Sequence, residues 1–118
     1  GKTYPPPLKW GNYAGTEVKN EDWPSDWDAI SNWQDDHART SPVGAYGAKH
    51  GELCDLGGNV WEWCDDLWGP GYNSRVLRGG SWSSNFTEAL LSSYRNVGDT
   101  GLRYDYYGFR VVLSSVTD

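Results

Sequence analysis

Residues 55–66 read DLGGNVWEWCDD, and residues 75–82 read RVLRGGSW. In the first stretch apolar and polar residues alternate through Val60, Glu62 and Cys64, with Trp61 and Trp63 between them. That pattern predicts a strand, with WEW packing into the core. RVLRGGSW and, further on, YGFRVVLSS (107–115) also read as short strands. The glycines of GGN and RGG allow backbone conformations closed to other residues. Arg78, Arg95 and Arg110 stand beside aromatics, where a guanidinium can stack and donate to carbonyls together. They are expected to be buried and to hold strand ends in place.

The composition around these stretches is unusual. The chain has 118 residues with eight Trp, eight Tyr, fifteen Gly, six Pro and no Met, at a mean hydropathy of −0.72. A single domain over 1–118 is expected, long enough to bury a core without disulfides or metal. Few, large, flat side chains must do the packing, and the Gly and Pro content implies many turns. The net charge of −6 is uneven: residues 1–66 carry twelve acids and five bases, residues 67–118 four and five. An acidic half argues against nucleic acid as a partner and suits cations better. No apolar run approaches the roughly 20 residues of a membrane span, so direct membrane insertion is not expected. No signal peptide is visible, and the chain starts like a trimmed piece of a longer one.

The rest is less regular. Residues 1–9, GKTYPPPLK, read as an extended arm. PSDWDAISNW (24–33) carries a helical hint, with Ser25 as cap and Trp27, Ile30 and Trp33 on one face. Residues 40–51 read as turn-rich loop, and Leu90 and Leu91 are assigned to the core. The residues therefore predict an α+β fold with short strands and much irregular loop. Cys54 and Cys64 define no disulfide framework; reduced, buried thiols and a loop-closing bridge both remain open.

DLGGNVWEWCDD, RVLRGGSW, SSYRN (92–96) and YGFRVV (107–112) occur in that order, and WGNYAG (10–15) and RTSPVGAY (39–46) extend the pattern upstream. Together they closely resemble the C-terminal core of the formylglycine-generating-enzyme (sulfatase-modifying factor) type of C-type lectin fold. The resemblance implies that fold over roughly residues 8–113. It also implies that catalysis would need a cysteine pair in and after RGGSW, binding copper. Here Ser83, Ser84, Asn85 and Phe86 follow Trp82, and no cysteine lies beyond Cys64. Serine cannot replace a thiolate ligand and nucleophile. His37 and His50, both expected in solvated loops, are too few for a histidine-rich iron site. The expectation is a protein that is not an enzyme and binds no copper.

The same resemblance implies two structural calcium sites. One would use Asp55, the carbonyls of Gly58 and Val60, and Glu62. The second, weaker one would use Asn12, the Tyr13 carbonyl, Asp35 and the His37 carbonyl. Carboxylate and carbonyl oxygens suit a hard cation, although Asp55 and Glu62 could instead cap turns or pair with arginines. The sugar-binding tripeptides of calcium-dependent lectins are absent.

Between the framing motifs, residues 83–107 contain no Lys, Gln, Met or Trp and a single Glu. That set resembles what adenine-directed mutation of asparagine codons reaches in the variable proteins of diversity-generating retroelements, which use this fold. The resemblance implies a non-catalytic binding protein, with a formylglycine-generating-enzyme-like oxidoreductase or an inactive accessory domain of that family as the alternatives. Its surface would comprise Ser83, Ser84, Asn85, Phe86, Asp99, Thr100, Leu102, Tyr104, Asp105, Tyr106 and Tyr107. Tyrosine among small polar residues gives rigid contact area and adaptable hydrogen bonds, as in antibody paratopes. For Tyr106 and Tyr107, core and surface remain equal alternatives. The expected partner is a macromolecule, a protein. No address is written in the residues; a cell surface or a virus particle is where the resemblance would put it.

Overall fold

The alternation around WEW is realised as a strand, β1, Trp61–Leu67. The computed structural model describes residues 3–19, 22–49 and 51–113, and three further strands there join β1. They are β2, Arg75–Arg78, β3, Asn96–Gly98, and β4, Tyr107–Gly108, in the sheet order β3-β2-β1-β4. β2 runs antiparallel to both β1 and β3, while β4 runs parallel to β1. Glu62 of β1 therefore lies opposite Arg78 on one side and Gly108 on the other. The helical part of the α+β expectation is reduced, among the described residues, to two 3-10 turns, Thr16–Val18 and Thr87–Leu90.

Residues 24–33 form no helix, and the hydrogen bonds say why. The Ile30 N–H donates to the Ala14 carbonyl at 2.7 Å, and the Trp33 carbonyl accepts from the Thr16 N–H at 2.8 Å. Backbone groups a helix would use internally are spent on a distant segment. Ile30 and Trp33 do enter the core, but Trp27 is exposed. The strand expected over YGFRVVLSS is likewise cut, among the described residues, to two, and Phe109, Val111, Val112 and Leu113 are exposed; Ser114 and Ser115 lie outside the described residues. Leu90 is half-buried against the core, whereas Leu91 is exposed, correcting its assignment. The described part of the arm is tied down: the Tyr4 hydroxyl donates to the Asn85 carbonyl, and the Trp33 indole donates to the Pro6 carbonyl.

The core is aromatic, as the composition requires. Trp61, Leu77 and Ala89 form one cluster, and Ala14, Val18 and Trp82 another; Tyr106 packs against both. Gly58, at φ +81°, comes so close to Asn12 that an added Cβ would sit 2.4 Å from the Asn12 carbonyl oxygen. This approach lets the Gly58 N–H reach the Gly79 carbonyl and the Asn59 N–H reach the Asn12 carbonyl, both at 2.8 Å. The arginines staple as expected but sit nearer the surface than expected. Arg78 is half-buried and donates to the carbonyls of Ser93 and Tyr94. Arg95 and Arg110 are exposed; Arg95 lies 5.0 Å over the Trp68 ring, and Arg110 reaches the carbonyls of Cys54 and Asp55.

A groove beside the RGGSW turn

The RGGSW turn ends in a locked corner. Ser81 is fully buried, its N–H donates to the Ser84 Oγ at 2.9 Å, and the Trp82 N–H donates to the Asn59 carbonyl. Ser84, expected at the surface, is therefore 4% exposed and part of the frame. From this corner the chain passes along a cavity of about 470 Å³ walled by Trp27, Asn85, Phe86 and Tyr106, with Asp26 and Asp28 on its rim. A smaller cavity of about 140 Å³ adjoins it, sharing Trp27, Ser83 and Tyr106 and adding Trp23, Trp82 and Asp105. The Asn85 side-chain amide donates to the Asp28 carbonyl at 2.6 Å, tying the two walls together.

Six of the expected ligand-binding residues, Ser83, Ser84, Asn85, Phe86, Asp105 and Tyr106, line this groove. Tyr104 is exposed and stacks on Tyr106 at 4.9 Å between ring centroids, within 6° of parallel. Tyr106 is half-buried between groove and core, and burial, then its tyrosine neighbours, pushes its phenol upward. Tyr107, set edge-on to Trp63 in β4, belongs chiefly to the frame. The remaining expected residues lie elsewhere: Thr100 and Leu102 line a separate depression with Trp63, Cys64 and Arg75. The Asp99 carboxylate accepts from the Gly101 N–H at the turn leading there. Trp23, Trp27, Asp26, Asp28 and Arg39 escape sequence reasoning because they come from loops far from the framed segment. Their only signal is the surplus of tryptophan and acid before residue 40.

The two oxygen sets suggested for calcium fare differently. The Glu62 carboxylate is held by the Arg110 guanidinium at 2.7 and 2.5 Å, and the Asp55 Oδ2 accepts from the Gly44 N–H at 2.6 Å. That set does not fit a cation as it stands. In the second set, Asn12 is fully buried and its Oδ1 has no partner. Asp35 is 2% exposed and accepts from the backbone N–H groups of Tyr13 and His37. Burial pushes its carboxyl up to about 6 despite those bonds, with the nearby Glu17 carboxylate adding to the rise. Asn12 and Asp35 offer oxygen donors of the kind a hard cation takes. Among the described residues no three His, Cys, Asp or Glu side chains gather as a metal cluster. His37 is half-buried with its Nδ1 2.9 Å from the Tyr46 hydroxyl, rather than solvated; His50 lies outside the described residues. The cysteines are unpaired and half-buried, and burial raises the Cys64 thiol. The residues after Trp82 supply no thiolate, so this corner does not fit copper.

A sheet of short strands stapled by arginines, with this glycine-turned corner, is compatible with the family that the sequence shows. The chain belongs to the sulfatase-modifying factor enzyme 1-like domain family, whose pattern it matches over residues 2–115. It is 32% identical over 123 aligned residues to the inactive C-alpha-formylglycine-generating enzyme 2 of Mus musculus, covering 98% of this chain and 38% of that protein. It is 35% identical over 109 residues to the chaperone protein LppX of Paenibacillus barcinonensis, covering 89% of this chain and 36% of that protein. It is 33% identical over 75 residues to the formylglycine-generating enzyme of Streptomyces coelicolor, covering 51% and 24%. The chain thus spans less than two fifths of the length of each of these relatives.

Proposed function

We propose that the chain is a non-catalytic ligand-binding protein, the variable protein of a diversity-generating retroelement. In this reading it displays a changeable surface on a C-type lectin scaffold and takes a protein partner. The observation that carries the reading is the division of labour around the RGGSW corner. Ser81, Trp82 and Ser84 are buried and bonded into the frame, while Phe86, Tyr104 and Asp105 face a groove or open solvent. Side chains placed so can differ with little effect on folding. The non-catalytic part rests on the missing cysteines after Trp82 and is in keeping with a relative named as inactive. Asn12 and Asp35, with the carbonyls of Tyr13 and His37, would hold a structural calcium ion, which would neutralise Asp35 and satisfy Asn12 Oδ1.

The test has two parts. The encoding locus should carry a reverse transcriptase and a near-copy template differing at adenines within the codons for 83–107. Replacing Phe86 and Tyr104 together, both exposed, should abolish partner binding and leave unfolding nearly unchanged. Absence of the template would defeat the retroelement reading. Copper-dependent oxidation of a cysteine peptide by the purified chain would defeat the non-catalytic one.

A further inference from the structure

The groove contains a worked example of cation recognition built from its own residues. Arg39 lies 5.1 Å over the Trp82 ring, and its guanidinium is 2.9 Å from Asp105 and 3.6 Å from Asp22. Two carboxylates and an indole thus hold one guanidinium at the smaller cavity. In the larger cavity next to it the same parts recur. Asp26, Asp28 and Trp27 line it together with Phe86 and Tyr106, and neither Lys nor Arg is among the described residues lining it. The side-chain carboxylates of Asp26 and Asp28 make no ion pair or hydrogen bond among the described residues, whereas most other acids in the groove are engaged.

A second, independent feature points to a ligand. Trp82 is 7% exposed, and its buried indole N–H has no hydrogen-bond partner, although the ring forms part of the wall of the adjoining cavity. A buried donor left unmade is costly, and a ligand carbonyl would satisfy it. Carboxylates, aromatic faces and one donor together suit a peptide segment: a planar cation for the acids and rings, a main-chain carbonyl for the indole.

We propose that the groove between Trp27 and Phe86 takes an arginine side chain from the protein partner, stacked on Trp27 and paired with Asp26 and Asp28. This deepens the binding reading above and rests on it. Arginine is preferred over lysine because its flat guanidinium can stack and pair at once, as Arg39 does.

The probe is a blocked Gly-Gly-Arg-Gly-Gly peptide, with citrulline and lysine counterparts, titrated against the whole chain while the indole N–H resonances of Trp27 and Trp82 are followed. The arginine peptide is expected to shift both resonances saturably, and the citrulline peptide to bind at least tenfold more weakly. The Asp26→Asn/Asp28→Asn variant should lose at least tenfold in affinity for the arginine peptide while the rest of its spectrum is unchanged. Equal binding of arginine and citrulline, no saturable shift, or an unaffected double variant would each overturn the proposal. A lysine peptide binding as tightly as the arginine one would overturn the guanidinium assignment. These outcomes leave the broader reading standing, because that reading is decided by the locus and by the replacements at Phe86 and Tyr104.

Discussion

Arg110 closes a fork on Glu62 across 48 positions of sequence, Nε lying 2.7 Å from Oε2 and Nη2 2.5 Å from Oε1. The same guanidinium donates to the carbonyls of Cys54 and Asp55 at 3.1 and 2.8 Å, so one side chain joins β1, the loop before it and the end of β4. Lysine has no planar fork and cannot serve these acceptors together. Arg110→Lys is expected to destabilise the chain by about 1–3 kcal/mol in urea unfolding. Glu62→Gln, which keeps the carbonyl contacts, should cost less. An Arg110→Lys protein as stable as the parent would show that the fork is ornamental.

Asp35 makes a prediction whose sign is unusual for a carboxylate. Its pKa lies at about 6 in the fold, raised by burial against the backbone N–H bonds of Tyr13 and His37, with an ordinary value of 3.8. The folded state then holds the proton more tightly than the unfolded one, so this group favours folding below about pH 4 and loses that contribution as pH rises through 6. Other carboxylates slope the opposite way, so the comparison is between the parent and Asp35→Asn across pH 4–7. The parent should lose stability relative to the variant over that span. Calcium added at pH 7 should restore it if Asn12 and Asp35 hold the ion; a calcium-insensitive melt would dismiss the metal.

Gly58 tests the close approach on which the corner depends. At φ +81° an alanine is strained, and its Cβ would meet the Asn12 carbonyl oxygen at 2.4 Å. Gly47, at φ +69°, has nothing within 4 Å of an added Cβ and provides the control. Gly47→Ala should cost about 1 kcal/mol, from conformation alone. Gly58→Ala should cost more than about 2 kcal/mol, read from the same denaturation curves. Similar losses at both positions would mean that the backbone contact has no special role.

What could be read in advance follows from where each segment finds its partners. β1 and β2 were legible because their alternation reports a local period, and the glycine motifs because left-handed backbone is a local demand. Residues 24–33 misled because Ile30 and Trp33 sit at helical spacing for another reason: they bury beside residues 13–16, whose backbone captures theirs. Leu91 and residues 109–113 misled because apolar character alone does not say what covers a side chain. The framed half of the groove was legible as composition. The opposite wall, Trp23 to Asp28, was not, since only long-range packing such as Asn85 on the Asp28 carbonyl brings it there.

The separation of frame from surface is tested most directly by equilibrium unfolding of chains in which Phe86, Thr100, Leu102 and Tyr104 are replaced together by serine, asparagine or aspartate. Unfolding free energies within about 1 kcal/mol of the parent are predicted, since all four side chains are exposed. For comparison, Leu77→Ala, in the fully buried core, should cost about 2–5 kcal/mol. A loss from the four surface replacements as large as that from Leu77→Ala would contradict the account.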